Sequence, residues 1–462
     1  MPESIGGNPF WELSFDRDGD VDGVAAQTLT AEAGEAGITD LVVFSHGWNN
    51  DRAVARRLYD NWLGLLAPQL GDDRRVGFVG VLWPSELWSD GPIPDFEPAP
   101  ATDAGGPSGW DDGGASLDTR ATVPAGDPAL DAAQLAVLGS LFPAGRSELQ
   151  RIAELLATPP DPGAVGEMLA LLRSFALATS SGFDDGESGA DAGALPGMLG
   201  ADADPATVFE DFVTALSECG VEVDAEGVGG AAGLGDALRG VWNGAKEALR
   251  QLTYWQMKNR AGVVGLRGLG PLVGDVHDRL PGVRVHLVGH SFGCRVVSFA
   301  LAGLPDTADP SPVKSVTLLQ PAFSAFAFAD RLPFDPARGG ALAGSTARVD
   351  GPLTVCFSSH DDALGVLYPI ASAVSGCDAA AAEDRRTRWS ALGAVGAYGA
   401  PTEVLGGVGA DYPFAAGGLL NVDASAVVAH GRPPAGAHSD IVHPELTWVL
   451  VRAGRLGAAL PA

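Results

Sequence analysis

Along this chain, short unbroken apolar runs alternate with stretches whose apolar residues recur every three or four positions. Leu41 to Phe44 and Val76 to Leu82 are runs of strand length, and between them Val54, Leu58, Trp62, Leu65 and Leu66 keep helical spacing behind Asn50 or Asp51 as cap. Buried strand, helix and buried strand in succession predict a mostly parallel sheet flanked by helices. Later strand-like segments are the alternating run Val283 to Val288 and the buried stretches Val313 to Leu319, Leu353 to Phe357 and Leu419 to Val428. Pro444 to about Leu456 reads as a closing helix with Leu446, Val449, Leu450 and Ala453 on one face.

Two segments depart from this rhythm. Trp11 to Phe15 and Val24 to Thr30 bracket an Asp- and Gly-rich stretch, residues 16–23, and together they predict a hairpin. A calcium-loop reading from Asp18 fails because Leu29 stands where a bidentate Glu is needed. From Ser85 to about Pro128 the chain is rich in Gly, Pro and Asp without periodicity, which reads as a long mobile loop. Helices are expected from Asp127 and Pro128, from Ser147, around Met168 to Leu177, and from Asp204 and Pro205 to Gly220, where Asp-Pro supplies a cap and a first-turn proline. A mostly helical return follows from Asp236 to about Leu280. The organisation expected is therefore a core of residues 1–84 and 236–462, interrupted by a loop-rich and helical insertion, residues 85–235.

Chemistry enters where the strand-like run Val283 to Val288 ends. Gly289, His290, Ser291, Phe292 and Gly293 form G-x-S-x-G between a strand and the helix-like segment Cys294 to Gly303. With 63 glycines in 462 residues the bare pattern arises by chance, so the flanks carry the inference: a sharp strand-to-helix turn that exposes a serine hydroxyl. A serine needs a base, and the base a carboxylate. Downstream, the loop after Leu353 to Phe357 offers Asp361, preferred to Asp362, with Asp423 more distant; the strand Val313 to Leu319 ends in Gln320, Pro321 and Ala322 with no carboxylate nearby. His438, in the loop before the last helix, is the expected base, ahead of His430 and of His443, which precedes Pro444; His277, His286 and His360 read as ordinary loop histidines. The backbone amides of Phe292 and Trp48 are the expected oxyanion donors, the latter in His46-Gly47-Trp48 at an early strand end.

Composition narrows the partners. The formal charge is −29 and the pI about 4.4, which argues against nucleic acid or an anionic membrane surface. Lysine occurs only at Lys246, Lys258 and Lys314, a skew that resembles genome-wide composition bias. Cys219, Cys294, Cys356 and Cys377 are scattered, so buried thiols are expected and no metal or disulfide framework. No apolar run reaches the roughly 18 residues of a membrane span and no signal peptide is evident, so a cytoplasmic protein without cofactor is expected.

His46-Gly47-Trp48, Gly289 to Gly293, the strand-end Asp361 and the late His438 together resemble the α/β-hydrolase superfamily, in particular its little-characterised bacterial serine hydrolases. The resemblance implies an eight-stranded, largely parallel sheet, a cap inserted among the strands, and hydrolysis through an acyl-enzyme. The insertion follows Val76 to Leu82, earlier than in many capped members. On this reading the chain is an esterase or lipase-like enzyme acting on a small acyl ester, with Leu169, Leu172, Phe175 and Leu177 offering an apolar cap face to an acyl chain. A thioesterase or acyltransferase would use the same nucleophile, and a non-catalytic binding protein on the fold is the remaining class.

Overall fold

The computed structural model describes residues 2–85, 88, 96, 123–124, 127–179, 199–200, 203–223, 234–306, 310–369 and 388–457. Most of the segment 85–128, read from sequence as a mobile loop, lies outside the described residues, as does Cys377.

The strands are β1 (Glu3–Ile5), β2 (Asn8–Ser14), β3 (Asp40–Ser45), β4 (Val76–Leu82), β5 (Val123–Pro124), β6 (Val221–Glu222), β7 (Arg284–His290), β8 (Val313–Leu319), β9 (Leu353–Phe357), β10 (Thr402–Val404) and β11 (Leu419–Asp423). Nine of them form one sheet in the order β1-β2-β4-β3-β7-β8-β9-β11-β10, while β5 and β6 make a separate parallel pair. Every pairing in the large sheet is parallel except β1 with β2. The fold is therefore α/β with a mostly parallel central sheet, one strand wider than the eight implied by resemblance.

Continuous apolar runs are what a sheet covered on both faces requires, because successive side chains alternate between the faces. In β3, Leu41 and Val43 enter one hydrophobic cluster, Val42 and Phe44 the other. Against the second face pack α2 (Arg52–Leu66) and the closing helix. Asp51 caps α2 by accepting from the Val54 amide, and Leu58, Trp62 and Leu66 are fully buried, each contributing about 2 kcal/mol over exposure.

On the first face lie α1 (Gly23–Glu35), α7 (Leu234–Val263), α8 (Gly270–Arg279) and α9 (Phe292–Gly303), joined by α3 (Ala132–Leu141), α4 (Arg146–Leu156), α5 (Pro162–Thr179) and α6 (Pro205–Glu218). The later helices are the one-turn α10 (Leu392–Val395) and the closing α11 (Pro444–Gly454).

Three expectations are corrected here. Val24 to Thr30 is no hairpin strand but the body of α1: the Asp22 side chain accepts from the Val24 and Ala25 amides, and the cap sets the helix despite β-branched residues. The helix expected from Asp127 begins at Ala132 behind Asp131, whose carboxylate accepts from Gln134 N. His286 is not a loop residue. It is buried in β7, donates from Nε2 to Asp40 Oδ1 (3.1 Å) and accepts at Nδ1 from the Ser315 hydroxyl (2.8 Å). Burial pushes the His286 pKa down, so the imidazole stays neutral. At Asp40 burial acts upward, but hydrogen bonds from His286 and Thr39 and the charge of Arg284 outweigh it and the carboxyl titrates below its ordinary value. This cluster locks β3, β7 and β8 at the end of the sheet opposite Ser291.

Candidate active site

Ser291 sits between β7 and α9 with φ 55° and ψ −122°, a strained conformation for any residue with a Cβ. Three backbone bonds hold it there: Ser291 N donates to Leu319 O, and Ser291 O accepts from the amides of Cys294 and Ala322. The two glycines are required by contact. A Cβ on Gly289 would lie 2.5 Å from the Cys294 backbone, and one on Gly293 would lie 1.9 Å from Ser45 O. The side chain of Ser291 does not cap α9, which leaves the hydroxyl free to face outward.

His438 meets that hydroxyl: its Nε2 is 2.8 Å from Ser291 Oγ, and its Nδ1 is 2.7 Å from Asp361 Oδ2. Asp361 is buried, and its other oxygen accepts from the Leu364 amide at 3.0 Å. With Nδ1–H donated to the carboxylate, Nε2 is left as the acceptor for the serine proton.

His438 sits in a one-turn segment, Ala437–Ser439, tied to the Asp361 loop by Ala437 N to His360 O and Ala363 N to Ala435 O. Gly436 (φ 59°) permits the crossing, since a Cβ there would lie 2.5 Å from His360 O. The structure thus brings Ser291, Asp361 and His438 together. Asp423 instead accepts from Ser425, His430 is largely exposed, and His443 donates from Nε2 to Asp440 Oδ1 at 2.7 Å. Asp440 also accepts from the Ala429 and His430 amides and so anchors the His438 loop from behind.

Gly47 presses against the serine, so closely that a Cβ on it would lie 3.2 Å from Oγ. The next residue, Trp48, has a backbone N–H with no acceptor among the described residues. Asn50 Nδ2 donates to the carbonyls of Gly47 and Trp48, and Asn49 N donates to Ser85 O, which fixes the peptide orientation of the loop. Phe292, as the first residue of α9, also has an amide without an intrahelical acceptor. Two N–H groups therefore flank Ser291 in a preorganised loop and at a helix start, where negative charge is favoured.

Several contributors were not found from sequence. Gln320, in left-handed backbone (φ 48°) at the end of β8, donates from Nε2 to Asp361 Oδ2 at 3.0 Å. Its position at the end of a strand is the signal the sequence carries for it, but an amide there does not announce a catalytic contact as a carboxylate does. His290 donates from Nε2 to the His438 carbonyl at 2.9 Å and is held neutral, with a pKa of about 3, by burial and by the nearby His438. His46, stacked on Trp83 with 8° between the rings, is likewise kept neutral by burial at about 4.

Ser291 and His438 open on a cavity of about 120 Å³ walled by Trp48, Trp88, Tyr254, Leu364, Leu367 and Tyr368. Leu169, Leu172 and Phe175 are absent from it: they are buried in the core beneath the insertion, and Leu177 is 61% exposed on the surface. The expected apolar cap face is therefore that layer's own interior. Among the described residues no group of His, Cys, Asp or Glu is arranged to hold a metal, and no helix is long and apolar enough to cross a membrane. Compared with protein-family models, curated proteins and solved structures, the chain matches none.

Proposed function

We propose that this protein is a serine hydrolase of the α/β-hydrolase type that cleaves a small carboxylic ester. The observation that carries the reading is the unbroken relay from Ser291 Oγ through His438 to Asp361, at 2.8 and 2.7 Å, on a strained turn. Order along the chain, serine then acid then histidine, is that of the superfamily, and the parallel sheet and strand-to-helix turn agree with it.

In the reaction Ser291 Oγ forms a bond to the ester carbonyl carbon while His438 Nε2 takes its proton. The carbonyl oxygen becomes an oxyanion and accepts from the amides of Trp48 and Phe292. When the tetrahedral species collapses, the C–O bond to the alcohol breaks and His438 returns the proton to the departing oxygen. Water repeats the sequence on the acyl-enzyme, releasing the acid and restoring Ser291. Asp361 keeps Nδ1 protonated and offsets the charge of the imidazolium.

The test is fluorophosphonate labelling and p-nitrophenyl ester hydrolysis by the wild type beside Ser291→Ala. Covalent labelling at Ser291 and a loss of about 10⁴-fold or more in kcat for the variant are expected. Equal turnover by both proteins would overturn the assignment.

A further inference from the structure

We infer that the cavity beside Ser291 selects esters of short, uncharged acyl groups and that Trp88 sets the size limit. The inference rests on the ester-hydrolase reading and deepens it. At about 120 Å³ the cavity is somewhat smaller than the roughly 150 Å³ that accommodates benzene, so an acyl group of about six heavy atoms fills it and a longer one must extend out past its walls.

Its walls say which groups those are. Trp48 meets Tyr254 edge to face at 5.4 Å, and Tyr254 meets Tyr368 in the same manner at 6.2 Å, with Leu364 and Leu367 completing an apolar surface. At the polar corner, Glu247, Arg250 and Gln251 lie on one face of α7: Glu247 Oε1 accepts from Gln251 Nε2 at 2.7 Å and its Oε2 pairs with Arg250 at 3.2 Å. A charged acyl group would lose its hydration there and would have to compete with the existing Glu247–Arg250 pair for a counter-charge. A neutral one needs no partner.

Trp88 is a fixed wall rather than a swinging one. It is 1% exposed, its amide donates to Asn49 Oδ1 at 2.7 Å, its indole N–H donates to Thr253 Oγ1 at 2.9 Å, and Arg250 lies over its face at 5.1 Å. These anchors come from the loop after β3 and from α7, so widening the cavity means breaking contacts to two separate segments.

The experiment measures kcat/KM on p-nitrophenyl acetate, butyrate, hexanoate, laurate and hemisuccinate for wild type, Trp88→Ala and Trp88→Leu, with Ser291→Ala as blank. Wild type should be best on acetate to hexanoate and lower by about tenfold or more on laurate and hemisuccinate. Both Trp88 variants should move the optimum toward longer chains. If neither variant folds, inhibition of the unaltered protein by alkylboronic acids from methyl to octyl serves instead, with affinity expected to fall beyond hexyl. A wild-type optimum on laurate, an unchanged profile in a folded Trp88 variant, or affinity that rises through octyl each overturns the size limit while leaving the hydrolase reading intact. Absence of Ser291-dependent turnover on every ester removes the hydrolase reading and this inference with it.

Discussion

At the scale of single residues, the strain at Ser291 and the bonds around Asp361 do different jobs. The strained backbone aims the hydroxyl, and three backbone hydrogen bonds maintain it. Asp361 must hold one orientation, and Gln320 shares its Oδ2 with His438. Gln320 is thus a positioning residue. Gln320→Met should lower kcat by about tenfold with KM little changed, because a buried hydrogen bond to a charged group contributes about 1.5–3 kcal/mol. Gln320→Glu should be worse than Gln320→Met at pH 7, since it sets a second carboxylate about 3 Å from the first. A purely structural role would rank the two by stability alone, so thermal midpoints measured beside kcat separate the cases.

At the scale of elements, two contacts between segments decide whether the site closes. Gly47, in the loop after β3, touches Ser291, and a Cβ there would lie 2.6 Å from the serine Cβ. Gly47→Ala should therefore push the Trp48 amide away and cut kcat by about 10²-fold, the scale of one lost oxyanion donor, in a protein that still folds. By contrast, Asp22→Ala removes only the cap of α1, remote from Ser291, and should cost about 1 kcal/mol in chemical denaturation with kcat unchanged. The elements differ in how readable they were. Leu41 to Phe44, Val76 to Leu82, Val313 to Leu319 and Leu353 to Phe357 all lie within strands to within a residue or so, because burial on both faces writes short, mainly apolar runs. Helix α1 was missed because it buries only Leu29 and Ala33, so it carries almost no periodic signal and is set by its cap.

At the scale of the whole molecule, three buried neutral histidines link stability to pH. Burial holds His46 at about 4, burial with the nearby His438 holds His290 at about 3, and His286 is also depressed. In the unfolded chain each would titrate near 6.5, so it would take up a proton there before it could in the fold. Their stabilisation is complete above pH 6.5 and is lost as the pH falls. The slope is about 1.4 kcal/mol per pH unit for each of His46 and His290. Relief of the −29 charge acts in the opposite direction, but carboxylates take up protons mainly below about pH 5. Urea midpoints should therefore decline from pH 6.5 to 5.5, and a midpoint that holds or rises across that interval would contradict the neutral assignment.

Local pattern by itself determined the central strands β3, β4, β7, β8 and β9, most of the helices and the turn that carries Ser291, because each depends on neighbours within a few residues; it did not show β1 or β10. Tertiary structure alone decided which carboxylate reached His438, that Gln320 stood behind it, that Leu169 and Phe175 faced inward, and that His286 joined Asp40 and Ser315. Each of those pairings crosses between segments far apart in the chain. They are set by the register of parallel strands and the loops at their ends, about which no short window of sequence carries information.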